Sequence, residues 1–366
     1  MKSTARFVAL VFFLAASSGA AANSVIQRLM KTISAVMLIG LLALSGCVPR
    51  APAETNTTEI AVYAFSIMKE PLERAIYPGF AAKWKREHNQ EVRFVSSFAG
   101  SETVTNQILQ GVKAEVAFLS TERDVQRLQQ AGFVTSNRQT SPHKGIVNKT
   151  PFVILVRQGN PKNIHDFGDL ARQGVGIIHP DPVSSGGAQW SILAVYGSEL
   201  VKSQQQSGEP DKARAFQALQ AVWRNVISTP GSAREARTQF ETGFGDALIT
   251  YELDALLMKS MGAPVEIIIP RATIFSEHPV VLIDKNVSAE KRTVVDAFVQ
   301  YLWSDEAQQA FVKFHFYSVT NNSFNEASRE FGRIELPFTI DYFGGWEKAY
   351  PEVIEQVFKE QVQPRK

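Results

Sequence analysis

The chain has 366 residues, is 45% hydrophobic and 20% charged, and carries a formal net charge of +2. That length holds two ordinary domains with real cores, and the composition is ordinary globular composition that implies no large disordered region. The charge balance gives no ground for a nucleic-acid partner, since Lys83-Trp84-Lys85-Arg86 is the only local basic run and reads as a solvated helix face.

Two signal-like segments open the chain. Phe7 to Ala22 ends in Ala20-Ala21-Ala22, and a second begins at Met30-Lys31, continues through an apolar run from Ile33 to Leu44 and closes on Leu44-Ser45-Gly46-Cys47. The second run is too short to span a bilayer as a mature helix. Its pattern resembles a bacterial lipoprotein signal, in which Cys47 becomes the lipidated first residue; a free cysteine beside a simple signal peptide is the alternative. Either Met30 is the true start or the leader begins at Met1, and both stay open. Residues 1–46 are therefore read as a signal or leader region and 47–58, rich in Pro, Ala and Thr, as a lipid-anchor tether. Cys47 is the single cysteine, so neither disulfides nor a cysteine metal site hold the remainder together.

Ile60 to Phe65 is apolar and β-prone, and Ser66 stands where it can cap a helix from about Glu70 to His88, with Pro71 in its first turn. Val92 to Ser96 reads as a strand feeding Ala99-Gly100-Ser101, and the next helix carries Val104, Ile108 and Val112 on one face. Val116 to Leu119 is a strand, followed by a helix through Val125 and Leu128. Gly145 to Pro151 reads as a crossing between domains, and Phe152 to Val156 opens a second unit. Gly176 to His179 is a strand leading into Ser184-Ser185-Gly186-Gly187-Ala188 and a helix with Ile192, Val195 and Tyr196. Lys202 to Asp211 reads as a surface loop, and Ala247 to Tyr251 as a strand. Val265 to Ile269 and Val280 to Ile283 read as the return crossing, before helices from Ala289 to Trp303 and through Phe311. Strands alternating with helices in this way imply a parallel α/β sheet. The expected architecture is two α/β lobes with a hinged ligand cleft: 59–147 with 270–330 as lobe I, 148–269 as lobe II, and 331–366 a C-terminal helical segment assigned to neither.

Three helix starts share one chemistry. Ala99-Gly100-Ser101, Ser184-Ser185-Gly186-Gly187-Ala188 and Pro230-Gly231-Ser232-Ala233 each put small residues between a strand-like and a helix-like run. Such a start exposes unpaired backbone N–H groups at the positive end of the helix dipole, which suits a small oxyanion. Singly, each reads equally well as an ordinary turn. Charge-assisted hydrogen bonds are worth about 1.5–3 kcal/mol each, so roughly six or seven converging donors hold a dianion at micromolar strength or better.

Catalytic motifs are missing. There is no Gly-x-Ser-x-Gly, His-Glu-x-x-His or phosphate loop, and the six histidines share no metal-ligand spacing. Asp166 and Asp169 read as capping the turn that follows them. An enzyme using Ser185 as nucleophile lacks a base nearby in sequence.

Asn160-Pro161-Lys162-Asn163-Ile164-His165-Asp166, Pro182-Val183-Ser184-Ser185-Gly186-Gly187-Ala188-Gln189-Trp190, Gly245-Asp246-Ala247-Leu248-Ile249, and Phe338-Thr339-Ile340-Asp341 with Phe343-Gly344-Gly345-Trp346 resemble the periplasmic sulfate/thiosulfate-binding proteins of ABC importers. The likeness runs from about Ile60 to the C-terminal helix. It implies a type II periplasmic binding protein fold closing on a dehydrated sulfate, with donors at Ser66, Ser101, Gly186, Gly187 and Ala233 and the side chain of Ser185. Tyr251 stands where the family usually has a tryptophan donor, and Ser66 where it usually has an aspartate. The resemblance also implies a monomer at the periplasm or cell surface that hands its anion to a membrane permease, with no cofactor, no metal and no enzymatic activity. Molybdate or phosphate is the alternative ligand, the latter if Glu102 or Glu235 faces the anion.

Overall fold

The computed structural model describes residues 57–136 and 140–363. Cys47, both signal segments and most of the tether lie outside the described residues. No described helix is long and apolar enough to cross a membrane.

Strand β1 (Thr57–Phe65) runs straight into a helical stretch that starts at Ser66 and ends as α1 (Tyr77–His88). Phe65 is the residue before the first turn and Ser66 the first residue inside it, so the Ser66 side chain does not cap its own helix as expected. Strand β2 (Glu91–Ala99), α2 (Ser101–Leu109), β3 (Val116–Phe118) and α3 (Glu122–Gln130) follow. The α2 face holds buried Val104 and Ile108, but Val112 lies beyond the helix, which ends at Leu109 because Gly111 turns the chain at φ 102.

Strand β4 (Ile146–Arg157) is one continuous element, joining the expected crossing to the expected strand. After β5 (Ile177–Ile178) comes the 22-residue α4 (Gly186–Ser207), then α5 (Lys212–Arg224), β6 (Val226–Ser228), α6 (Ala233–Glu241), β7 (Ala247–Tyr251), α7 (Glu252–Ser260) and β8 (Val265–Ile268). The stretch from Lys202 read as a loop is largely the end of α4. Lys202 is buried there between Glu199 at 2.5 Å and Asp166 at 3.1 Å, and the helix stops only at Gly208, which takes φ 87.

Strand β9 (Ala272–Leu282) is the return crossing, and it starts well before Val280. Helices α8 (Ala289–Tyr301), α9 (Asp305–Lys313) and α10 (Asn322–Ala327), β10 (Leu336–Phe338) and a last helix from Trp346 to Val362 complete the order. The main sheet path is β2-β1-β3-β9-β4-β7-β5-β6, with β10 added to β9 and β8 to β4. Pairing within β2-β1-β3 and within β7-β5-β6 is parallel. The expected wholly parallel sheet is nonetheless incorrect: β9 runs antiparallel to β3 and β4, and β4 antiparallel to β7 and β8. Helical crossovers return a chain in the same direction, whereas these two strands carry it across the molecule and back. The sheet is mixed, and Ile60, Val62, Val116, Ile154 and Leu248 on it are fully buried under helices.

Candidate functional site

The starts of α2, α4 and α6 follow Gly100, Ser185 and Ser232, each in extended conformation. The first N–H groups of such helices have no acceptor within the helix. The hydroxyl of Ser232 takes one of them, Glu235 N at 3.2 Å. Ser185 is 3% exposed, yet its hydroxyl caps none of its own helix.

The three starts meet. A β-carbon at Gly100 would collide with the Ser184 carbonyl and lie 2.8 Å from the carbonyl oxygen of Gly231, so one residue packs on both other loops. Thr103 N donates to Ser184 O at 3.4 Å, Ser184 Oγ to Gly231 O at 2.8 Å, and Asp181 N to Pro230 O at 2.7 Å. Ser66 joins from the end of β1, where its hydroxyl accepts from Arg234 N at 3.3 Å. Glycine is required at these approaches because any side chain would separate the backbones.

Ser120, just beyond β3, ties the remaining pieces together. Its N–H donates to Ser101 Oγ at 2.8 Å, its carbonyl accepts from Trp190 Nε1 at 2.7 Å, and its hydroxyl lies 3.0 Å from Tyr251 Oη. Gly186 faces Ser120 and Gly187 faces Tyr251: their missing β-carbons would lie 2.8 Å from Ser120 Cβ and 2.7 Å from Tyr251 Oη. The Ser101 hydroxyl donates to Asp124 Oδ2 at 2.5 Å, so it is committed away from the helix starts and the residue offers its backbone N–H. All seven residues anticipated from sequence, Ser66, Ser101, Ser185, Gly186, Gly187, Ala233 and Tyr251, thus fall in one connected cluster.

Formal positive charge around it is already neutralised. Arg234 pairs with Glu70 at 2.6 Å, and Arg237 with Asp254 at 2.7 Å and Glu70 at 3.4 Å. Burial works to raise the Glu70 carboxyl, but the Arg234 hydrogen bond and the two guanidinium charges hold it below the usual range. Glu102 is clasped by Arg123 and by Arg127 at 2.5 Å and accepts from Gln189 Nε2 at 2.9 Å. Glu235 accepts from Gly231 N at 3.0 Å. Asp124 is fully buried, which together with the charge of Glu102 pushes it up to about 7. Burial also raises the Tyr251 phenol, so it stays neutral. What the cluster presents is oriented N–H and O–H dipoles.

Other expectations resolve simply. Asp166 precedes the helical turn Phe167–Ala171, Asp169 stands within it, and the two form a capping box. His179 bonds Ser191 Oγ and Pro180 O, and His278 bonds Asn148 Oδ1 at 2.7 Å; burial holds them down to about 4 and about 3. Among the described residues no cluster of His, Cys, Asp and Glu is able to hold a metal ion. The sequence reading gives Ser120 and Asp124 no role, Glu70 only the start of a helix and Trp190 only the end of one resembling motif. The strand-end position of Ser120, shared with Tyr251, is the signal that bears on the site.

The model of the family described as bacterial extracellular solute-binding proteins matches residues 60–317. The chain belongs to that family. This solute-binding protein is 33% identical to a sulfate-binding protein of Synechococcus elongatus over 80% of its own length and 83% of the relative's. It is 31% identical to a thiosulfate-binding protein of Escherichia coli, over 89% and 93% of the two chains. Among solved structures, the sulfate-binding protein SubI of Mycobacterium tuberculosis superposes with a TM-score of 0.72 at 29% identity, covering 80% of this chain and 98% of that one. The fold is that of type II periplasmic binding proteins, and the class binds solutes without transforming them.

Proposed function

We propose that this solute-binding protein captures sulfate, or thiosulfate, outside the cytoplasm and delivers it to an ABC permease. The observation that carries the reading is the meeting of three small-residue helix starts through Gly100, Ser184 and Gly231. Around that point the N–H groups of Ser66, Ser101, Gly186, Gly187 and Ala233, with the hydroxyls of Ser185 and Tyr251, supply seven donors. At about 1.5–3 kcal/mol each, net of the water they displace, they hold a dianion at micromolar strength or better. The relatives named for sulfate and thiosulfate binding support the ligand class.

In this reading 59–147 with 270–330 and 148–269 are two lobes, and β4 and β9 are the strands shared between them. The C-terminal segment leans on the second lobe, with Phe358 edge-on to Trp223 at 4.6 Å. The protein acts as a monomer, tethered at the membrane surface by a lipid on Cys47. Titration calorimetry with sulfate, thiosulfate, molybdate and phosphate tests the ligand. Sulfate is expected to bind and to raise the melting temperature by mass action, by about 4 kcal/mol of stability at a thousand times Kd. No heat and no shift with either sulfate or thiosulfate ends the proposal.

A further inference from the structure

The C-terminal helix reaches both halves of the cluster. Its body packs beside α5, where Phe358 meets Trp223 edge-on at 4.6 Å. Its start does more. Trp346 meets the Trp190 ring edge-on at 4.7 Å, and Trp190 donates its indole N–H to Ser120 O. Tyr350 presents its ring face to Arg123 on α3, whose guanidinium carbon lies 3.6 Å from the ring centroid. The ring is held in place at its far end, where the hydroxyl accepts from Lys359 Nζ at 2.8 Å and Lys359 bonds Glu355 at 2.7 Å.

Arg123 is not needed to neutralise Glu102, because Arg127 Nη1 already holds one oxygen of that carboxylate at 2.5 Å. It takes the other oxygen, Oε1, the same atom that accepts from Gln189 Nε2 at 2.9 Å. Glu102 stands in the first turn of α2, next to Ser101, and Gln189 in the first turn of α4, two residues after Gly187. The guanidinium therefore joins two anion-facing helix starts to the C-terminal helix. We infer that Arg123 and Tyr350 form a clasp by which the C-terminal helix holds the two lobes shut over the bound anion and slows its release. The inference rests on the function and the lobes proposed above. Both are positioning residues, acting through Glu102 and Gln189. Arg123 belongs to the first lobe and Tyr350 to the segment leaning on the second, so the contact exists only while the lobes are closed. Losing it speeds opening and leaves capture almost unchanged.

The test is stopped-flow mixing of the purified protein with sulfate, followed by tryptophan fluorescence. The slope of the observed rate against sulfate concentration gives kon and the intercept gives koff. Both side chains are half-buried, and a guanidinium over such a ring is worth about a three- to tenfold factor. Tyr350→Leu removes the ring face and Arg123→Ala the cation; each is expected to raise koff by about that factor and to leave kon within about twofold. Tyr350→Phe keeps the face and is expected to match the wild type within about twofold in both rates. Combining Arg123→Ala with Tyr350→Leu is expected to raise koff no further than Arg123→Ala alone, because the two residues share one contact. Melting curves without anion confirm that each variant is folded. An unchanged koff for Tyr350→Leu overturns the inference, and so do effects of the two substitutions that multiply. A Tyr350→Phe protein that releases as fast as Tyr350→Leu also overturns it, since the bonds of the hydroxyl rather than the ring face then control release. In each of these cases sulfate still binds and the functional reading stands. A wild-type protein that gives neither a fluorescence change nor heat with sulfate defeats the functional reading itself.

Discussion

Gly100→Ala inserts one methyl group at the point where the three helix starts touch. Its β-carbon would meet the Ser184 carbonyl and lie 2.8 Å from Gly231 O and 2.9 Å from the Ser184 carbonyl carbon. These are backbone atoms that no rotamer change moves aside. Ordinary contact needs about 3.5 Å, so the Gly231 side must retreat by about 0.7 Å and the Ser184 side by more. A donor at about 2.9 Å from an anion then sits at about 3.6 Å, beyond hydrogen-bonding range. Losing two charge-assisted bonds at about 1.5–3 kcal/mol each weakens sulfate binding by on the order of a hundredfold to ten-thousandfold. Calorimetry with sulfate on the variant and on Gly168→Ala provides the comparison, because a β-carbon at Gly168 meets nothing within 4 Å. Gly168→Ala is expected to match the wild type. A Gly100→Ala protein that binds sulfate within threefold of wild type refutes the claim that these backbones close on one another around the ligand.

Glu70→Gln leaves Arg234 without its carboxylate partner. Breaking a buried pair costs about 3–5 kcal/mol, but the Arg234 side chain is 31% exposed, so a loss of about 1–2 kcal/mol at neutral pH is expected. Because the folded pKa of Glu70 is depressed, the contribution exists above the unfolded carboxyl value and fades as pH falls through the folded one; urea midpoints that differ equally at neutral and strongly acidic pH contradict this. Asp124 behaves in the opposite sense. Its folded pKa is pushed up to about 7, first by burial and then by Glu102, so its favourable protonated form is fully present below the unfolded value and lost as pH rises through about 7. Asp124→Asn, which keeps an acceptor for Ser101, is expected to gain on the wild type by on the order of a few kcal/mol between about pH 5 and about pH 8, and a constant difference in urea midpoint across that range counts against it.

The helix starts were legible because Gly and Ser between an apolar strand and an amphipathic run leave local structure few options. Gly186-Gly187 and Gly231-Ser232 announce themselves without any knowledge of tertiary contacts. Ser120 and Asp124 do not. A serine two residues past a strand and an aspartate in the first turn of a helix are commonplace, and what distinguishes these two is contact with residues 131 and 23 positions away. The first half of β9 was hidden for a related reason. Thr273, Ser276 and His278 interrupt its apolar run, yet all three are fully buried, the two hydroxyls donating to Phe152 O and Thr150 O and the His278 Nδ1 pairing with Asn148 Oδ1 on β4. A polar residue reads as exposed until its partner strand is known. Lys202 misled in the same way, since Glu199 and Asp166 make its burial possible.

That β4–β9 ladder constrains how the molecule is able to open. The two strands pair over Ile146–Pro151 and Phe275–Pro279, and their side chains add three further bonds across the seam. Sliding one half past the other would break this stitching rung by rung, whereas coiling the ribbon about its own length keeps every rung intact. On the two-lobe reading proposed above, the opening that spares this ladder is a twist of the ribbon, not a slide of one half past the other.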